Sequence, residues 1–284
     1  MSPNPRSFRF EAEEGVFLHC LLWEPHQRGE VGSETPVILL HGGGANAHWW
    51  DHLARRISAR RPVYALDFRG HGDSDHPERR EVGAFNVDLE ALLGWLARED
   101  VILAGHSLGA AVALDHASRF PATRGIALID LARGSEHGSR RRARLALSLR
   151  RSYRTRKEAI ERFRFLPDSS HSAEALREQI AEHSVRREPN GRFGYKFDPG
   201  WFSLPTKPRP DLDEVCCATL LVRGGESTLL SNEAAVEFVG QLALGRLVEI
   251  PDAGHHVLLD QPERLLTTLE DFFLRIDEVG ANPQ

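Results

Sequence analysis

A serine stands at the centre of the five-residue segment Gly105-His106-Ser107-Leu108-Gly109, which has glycine at both ends. The segment follows a short apolar run and precedes an amphipathic stretch, Leu108 to Arg119, so it is predicted to join a strand to a helix. A serine on such a tight turn projects its hydroxyl above the sheet, and the glycines avoid collisions with neighbouring backbone. Ser107 is therefore predicted to be a nucleophile, with the positive end of the helix near any negative charge that develops.

A run of glycines could supply backbone amides for that negative charge. His41-Gly42-Gly43-Gly44 ends an earlier apolar run, where backbone without side chains can approach a ligand closely. The predicted oxyanion donors are the N–H groups of Gly43 and Leu108. Gly42 and His106 are predicted to contact the substrate beside them, whereas His41 is interpreted as a structural residue that holds the loop.

A general base is expected near the C-terminus, where Gly254-His255-His256 follows the apolar run Leu247 to Ile250. Neighbouring side chains diverge, so only one of the two histidines can face Ser107. We assign His255 as the base and interpret His256 as packing or pocket wall. No histidine has the spacing of an H-E-x-x-H or H-x-x-E-H motif, so neither a metal site nor a cofactor is predicted.

A sheet has to position these residues, and the chain alternates short runs rich in Val, Ile and Leu with helical segments. This pattern is typical of a parallel sheet with helices on both faces. The predicted parallel strands are Val37 to Leu40, Val63 to Leu66, Val101 to Ala104, Ile126 to Ile129, Leu220 to Val222 and Leu247 to Ile250, with Val16 to Trp23 as an antiparallel strand. The predicted helices are His48 to Ala59, Phe85 to Leu96, Leu108 to Arg119, Glu233 to Leu242 and Glu263 to Ile276.

The alternation of strands and helices stops between Arg133 and Pro210, where helix-like segments carry no strand-like run. We therefore predict a first core segment over residues 1–132, an inserted helical cap over 133–210 and a second core segment over 211–284. Residues 133–164 hold twelve Lys or Arg and three Asp or Glu. This local excess of positive charge is interpreted either as a solvated face or as a lid that attracts anionic substrates.

The overall composition is that of an ordinary globular protein. Hydrophobic residues make up 41% and charged residues 27% of 284, and the net charge is −5. Neither nucleic acid nor a membrane is expected as a partner, because the chain is not basic overall and has no apolar run of the roughly 18 residues needed to span a bilayer. The first residues lack a signal peptide and the three cysteines are too few for a disulfide framework, so a cytoplasmic location is expected.

The combined motifs resemble the α/β-hydrolase family, specifically its capped branch of esterases, C–C bond hydrolases, cofactor-free haloperoxidases, epoxide hydrolases and haloalkane dehalogenases. The residues that carry the resemblance are His41-Gly42-Gly43-Gly44, Asp67-Phe68-Arg69-Gly70-His71-Gly72-Asp73-Ser74, the Ser107 segment and Gly254-His255. The resemblance implies an α/β-hydrolase fold with an inserted cap. Relatives that open epoxides or alkyl halides have aspartate at the position of Ser107, so the serine disfavours both reactions. Tyr153 and Tyr195, in the cap, are therefore interpreted as packing or pocket residues.

The resemblance leaves the acid of a catalytic triad open. Most relatives place an aspartate about three residues after the glycine that ends the strand Leu220 to Val222, and counting from Gly224 that position is Ser227. Two candidates remain. Glu226 lies one position early with a longer side chain, and Asp130 follows the run Ile126 to Ile129, where some relatives carry their acid.

The leading hypothesis is a serine hydrolase that cleaves an ester or lactone through an acyl-enzyme. Its partner would be a small molecule, anionic if the basic cap is functional, with Trp49 and Trp50 in an apolar pocket. C–C bond hydrolysis of a carboxylate-bearing diketone is the alternative reaction. A ligand receptor that keeps the fold, and a lyase or cofactor-free oxygenase of the same fold, are hypotheses from other classes.

Overall fold

The computed structural model describes residues 4–25, 34–131, 142, 145–169, 171–205 and 207–281. Its strands are β1 (Arg6–Glu13), β2 (Val16–Trp23), β3 (Val37–Leu40), β4 (Val63–Leu66), β5 (Ile102–His106), β6 (Gly125–Ile129), β7 (Ser152–Tyr153), β8 (Val185–Arg187), β9 (Phe193–Tyr195), β10 (Ala218–Gly224) and β11 (Gly245–Ile250). Its α-helices are α1 (Asp51–Ile57), α2 (Ala84–Leu96), α3 (Leu108–Ala117), α4 (Arg156–Glu161), α5 (Glu174–His183), α6 (Asn232–Gly240), α7 (Val257–Asp260) and α8 (Pro262–Ala281). Short 3-10 helices cover Ala47–Trp50 and Pro199–Ser203.

The main sheet has eight strands in the order β1-β2-β4-β3-β5-β6-β10-β11. β2 pairs antiparallel with both β1 and β4. Each neighbouring pair in the remaining series, β4-β3-β5-β6-β10-β11, is parallel. The predicted mixed sheet with an antiparallel strand at Val16–Trp23 is confirmed. β1, which no sequence pattern predicted, forms the edge of the sheet beyond β2.

Successive residues of the central strands contribute to cores on opposite faces of the sheet. In β3, Val37 and Leu39 join the core beneath α1 and α8, whereas Ile38 and Leu40 join the core beneath α2, α3 and α6. All four side chains are fully buried. Both faces of the strand are therefore covered by helices, which explains why its sequence is continuously apolar rather than alternating.

The insertion between β6 and β10 contains strands as well as helices, which corrects the expectation of a purely helical cap. β7, β9 and β8 form a three-stranded antiparallel sheet, accompanied by α4 and α5. The expected start of the cap at Arg133, and the first part of the basic stretch that follows it, lie outside the described residues. In the part of the chain that the structure describes, no helix is both long and apolar enough to cross a bilayer.

Candidate active site

Residues from different parts of the chain meet at one edge of the main sheet. His41 follows β3, Ser107 follows β5, Asp130 follows β6 and His255 lies in the loop after β11. These strands are parallel, so their carboxyl ends lie on the same side of the sheet. This edge is where open α/β sheets bind ligands.

Ser107 adopts a backbone conformation that is strained for a residue with a side chain, with φ of 51° and ψ of −105°. The turn is possible because of the glycines on either side of it. A Cβ atom at Gly105 would lie 2.3 Å from the Gly109 backbone, and one at Gly109 would lie 2.2 Å from the Leu40 carbonyl oxygen. The strand and helix therefore approach each other closely, and the partly exposed Ser107 stands between them.

Asp130 and His255 form a buried hydrogen bond. The distance between His255 Nδ1 and Asp130 Oδ2 is 2.6 Å, and both side chains are at least 97% removed from solvent, with exposed fractions of 3% and 0%. With Nδ1–H donating to the carboxylate, Nε2 is the nitrogen left to accept a proton. Asp130 also has a positive φ, 45°, and its amide donates to the Val222 carbonyl, so the neighbouring strand fixes its backbone.

Glu226, the other acid candidate, does not reach His255. Its side chain is 53% exposed and accepts a hydrogen bond of 2.8 Å from His171 Nε2. The adjacent Ser227 instead points inwards, and its hydroxyl donates to Asp130 Oδ2 at 2.6 Å. The position at which the resemblance places an acid is thus occupied by a hydroxyl that holds Asp130, a role that the sequence analysis missed.

Gly42 and His106, the two predicted substrate contacts beside Ser107, lie against each other in the structure. A Cβ atom at Gly42 would lie 2.7 Å from His106 Nδ1, and both residues are buried. His106 Nε2 donates to the backbone carbonyl of His255 at 3.0 Å. Burial lowers the pKa of His106 well below its usual range, and the neighbouring His255 and His256 lower it further. The neutral His106 ring thus helps to fix the loop that carries His255.

The glycine loop is held by His41, as the sequence analysis expected. His41 Nδ1 donates to the Gly42 carbonyl at 2.7 Å, and Nε2 accepts the Phe68 amide at 3.1 Å. Within the part of the chain that the structure describes, the amides of Gly43 and Leu108 donate no hydrogen bond to another residue. Both residues are partly exposed, so the two predicted oxyanion donors remain open to a ligand.

Two cavities flank the Ser107 turn. A cleft with a volume of about 30 Å³ reaches Gly43 and is bounded by aromatic and basic residues of the cap. A larger apolar cavity of about 260 Å³ reaches Leu108 on the other side. The cleft is lined by Gly43, Gly44, Trp49, Ala146, Leu147, Leu149, Arg151, Phe163, Arg164, Phe165, Leu166, Tyr195, Phe197 and His256. The apolar cavity includes Phe85, Trp201, Phe202, Leu204 and Pro205.

The two adjacent tryptophans have different surroundings. Trp49 lines the cleft, where its ring packs edge-on against Phe165 and His256 at 5.1 and 5.5 Å between ring centroids. Trp50 has no exposed surface and packs into the core beneath α1 and α8, which corrects its assignment as a substrate contact. Tyr195 also lines the cleft, and its hydroxyl lies 3.1 Å from that of Tyr153.

Asp67 organises the loop after β4. Its carboxylate accepts hydrogen bonds from the amides of Ala47 and Asp73 at 2.6 and 3.0 Å, and it lies 2.7 Å from His19 Nδ1. Burial raises the pKa of Asp67, but the hydrogen bond and charge of His19 and the other donors outweigh it and leave the pKa at about 2. This charged cluster connects the Asp67 motif to the start of the 3-10 helix that carries Trp49.

A family model described as the alpha/beta hydrolase family matches residues 37–268, which is most of the chain. The chain belongs to the alpha/beta hydrolase family. Its curated relatives in that family include Esterase Rv0045c from Mycobacterium tuberculosis, which is 29% identical over 248 residues, 83% of this chain and 81% of that protein. Protein phosphatase methylesterase 1 from Gibberella zeae is 26% identical over 310 residues, covering 96% and 73% of the two chains.

Solved structures of alpha/beta hydrolases superpose on almost the whole chain. The crystal structure of E-2-(acetamidomethylene)succinate hydrolase has a TM-score of 0.76 at 24% identity, covering 94% of this chain and 98% of that one. An alpha/beta hydrolase from Novosphingobium aromaticivorans has a TM-score of 0.81 at 23% identity, covering 96% and 99%. These likenesses confirm the expected α/β-hydrolase fold.

Proposed function

We propose that this alpha/beta hydrolase is a serine hydrolase that cleaves esters, with Ser107 as nucleophile, His255 as base and Asp130 as triad acid. The observation that carries the proposal is the buried 2.6 Å hydrogen bond between His255 Nδ1 and Asp130, formed at the sheet edge where the strained Ser107 turn also lies. Relatives named as an esterase and a methylesterase support an ester as the substrate class.

The proposed reaction uses groups that have no hydrogen-bond partner in the described structure, namely Nε2 of His255 and the amides of Gly43 and Leu108. Asp130 holds the Nδ1–H tautomer of His255, so Nε2 accepts the Ser107 proton as the serine oxygen attacks the ester carbonyl. The amides of Gly43 and Leu108 donate to the carbonyl oxygen as it becomes negative. His255 then protonates the leaving alcohol, and a water activated by the same nitrogen hydrolyses the acyl-enzyme.

The two cavities support an ester with one apolar and one negatively charged part. Phe85, Trp201 and Phe202 give the cavity beside Leu108 a largely apolar wall. Arg151 and Arg164 line the cleft beside Gly43, and neither forms an ion pair with another residue in the described ranges. We therefore propose that the apolar group occupies the cavity and that a carboxylate or similar anion occupies the cleft.

Labelling with a fluorophosphonate, followed by peptide mapping, tests the nucleophile directly. We expect the probe to modify Ser107 alone and to leave the Ser107→Ala variant unlabelled. Turnover of p-nitrophenyl acetate should fall by at least about 10³ in Ser107→Ala without a change in melting temperature, because the partly exposed hydroxyl contributes little to packing.

Ser118→Ala is the matched control, because Ser118 follows helix α3 and its hydroxyl donates to the nearby Asp115 carbonyl. Its labelling and turnover should equal those of the unmodified protein. Labelling at another residue, or more than a few per cent of activity in Ser107→Ala, would refute the proposed nucleophile. A protein that binds esters tightly but neither reacts with the probe nor turns them over would instead be a receptor.

A further inference from the structure

Two histidines and an aspartate meet where the cap touches the core, away from Ser107. His48 lies in the 3-10 helix Ala47–Trp50, and Asp51 is the first residue of α1. His183 is the last residue of the cap helix α5. Each offers one potential ligand atom, and the three atoms lie within 4.8 Å of one another. The rings of His48 and His183 stack with 3.9 Å between their centroids.

The carboxylate of Asp51 is only half satisfied by the described residues. Its Oδ2 lies 3.0 Å from His48 Nδ1, whereas Oδ1 is buried and has no hydrogen-bond partner among them. The side chain is 6% exposed. A buried carboxylate oxygen without a partner costs free energy, and a bound cation removes that cost.

The cluster is accessible from solvent. His48, Asp51 and His183 line an open groove together with Gln179 of the cap and Arg55 of α1, as well as residues of β1 and β2. Arg55 is a positive charge in this groove. It donates to Asn4 rather than to Asp51, so the Asp51 carboxylate remains available.

We propose that His48, Asp51 and His183 bind a divalent transition-metal ion that links the cap to the core. Two imidazoles and one carboxylate form a donor set typical of such ions, with water at the remaining positions. Around one ion with bonds of about 2.1 Å, ligand atoms lie about 3.0 Å apart at right angles and about 3.4 Å apart in a tetrahedron. The lone pairs of two stacked imidazoles run nearly parallel and do not converge on one ion, so binding requires the partly exposed His183 ring to rotate out of its stack. The sequence spacing gave no indication of this site, because His183 comes from the insertion.

Two other groups of potential ligands among the described residues fit a metal less well. His106, His255 and His256 are all buried, and His255 is engaged with Asp130. The group of His19, Asp67 and Asp73 is centred on Asp67, whose carboxylate is already saturated by the hydrogen bonds described above. The site at the cap is the one with both an unpartnered buried oxygen and access from solvent.

Titration calorimetry of the full chain with Ni²⁺ tests the proposal, because Ni²⁺ suits imidazole ligands whereas thiolates select Cu(I) and Zn²⁺. The protein should carry no histidine tag. We expect one site in the unmodified protein and at least about tenfold weaker binding in Asp51→Asn and in His183→Gln, since even outer partners of a metal change affinity by about that much. Ni²⁺ should also raise the melting temperature of the unmodified protein but not that of the variants.

Two further variants locate the bound ion. His171→Gln, which changes an exposed histidine paired with Glu226, should bind Ni²⁺ as the unmodified protein does. His255→Gln should also retain the site. Loss of binding in His255→Gln but not in His183→Gln would overturn the proposal and place the ion at the histidines beside the nucleophile. Equal affinity in all variants, or no binding at millimolar Ni²⁺, would also overturn it. If Asp51→Asn fails to fold, His183→Gln alone tests the site. The side chain of His183 is partly exposed, so its replacement should leave the fold intact.

Discussion

Replacing Asp130 by asparagine should disable catalysis while keeping the shape of the site. The Asp130 carboxylate accepts three hydrogen bonds, from His255 Nδ1 and the Ser227 hydroxyl at Oδ2 and from the Gly224 amide at Oδ1. If the asparagine oxygen keeps the Gly224 bond, its NH₂ group faces His255 and requires Nδ1 to accept. The ring proton then moves to Nε2, which can no longer accept the proton of Ser107.

The opposite orientation of the asparagine side chain does not rescue the enzyme. Its NH₂ group would then face the amide of Gly224, and two donors would meet in a buried place. We therefore expect kcat to fall by up to about 10⁴, which corresponds to about 5.4 kcal/mol of barrier. Glu226→Gln should cost less than about tenfold, because Glu226 is half exposed and bonds to His171 rather than to His255.

The assay compares both variants with the unmodified protein on p-nitrophenyl acetate, with melting temperatures measured in parallel. Fluorophosphonate labelling rates provide a second readout, since they report the reactivity of Ser107 without deacylation. An inactive Glu226→Gln beside a nearly normal Asp130→Asn would refute the reasoning. A kcat for Asp130→Asn within tenfold of normal, with an unchanged fold, would show that Asp130 does not orient the base.

Two further predictions concern pH and salt. Burial lowers the pKa of four fully buried histidines, His41, His71, His106 and His256, below the ordinary value of 6.5. As the pH falls through 6.5, these histidines become protonated in the unfolded chain but stay neutral in the folded protein. The free energy of unfolding should therefore fall by up to about 1.4 kcal/mol per histidine between about pH 7.5 and 5.5. Urea unfolding at the two pH values measures this, and equal stabilities would contradict it. For the second prediction, kcat/KM of a carboxylate-bearing ester should decline with salt more steeply than that of a neutral ester, and Arg151→Gln should reduce the difference. Equal salt dependence for the two esters would show that the arginines of the cap do not attract the substrate carboxylate and only form a solvated surface.

The sequence predicted the residues that stand at strand ends because two local patterns coincide there. A continuous apolar run places its last residue at the sheet edge, and the glycines two positions before and after Ser107 allow a tight turn. The proposed triad acid could not be chosen in the same way. Whether Asp130 or Glu226 faces His255 depends on backbone directions, such as the positive φ of Asp130, that no local pattern encodes.

The cap was predicted less completely than the core. Its strands contain two or three residues each, for example Val185–Arg187 and Phe193–Tyr195, and runs this short show no alternation. Trp49 and Trp50 could not be separated for a related reason. They are consecutive residues of a 3-10 helix, and only packing decides which side chain faces the cleft and which faces the core.

The hydrogen bond between Ser227 and Asp130 bears on how a triad acid can change its place in evolution. In most members of the family that the chain resembles, the acid stands at the position of Ser227, on the loop after β10, whereas the acid proposed here, Asp130, follows the neighbouring strand β6. The two positions are 2.6 Å apart at their side-chain oxygens, so carboxylates at both would repel each other and share a proton. A site with both acids would hold a single shared charge, so replacing either acid by a neutral residue would leave the histidine with a charged partner. A serine at the position of Ser227 donates a hydrogen bond where a second acid would repel, which stabilises the ionised form of Asp130.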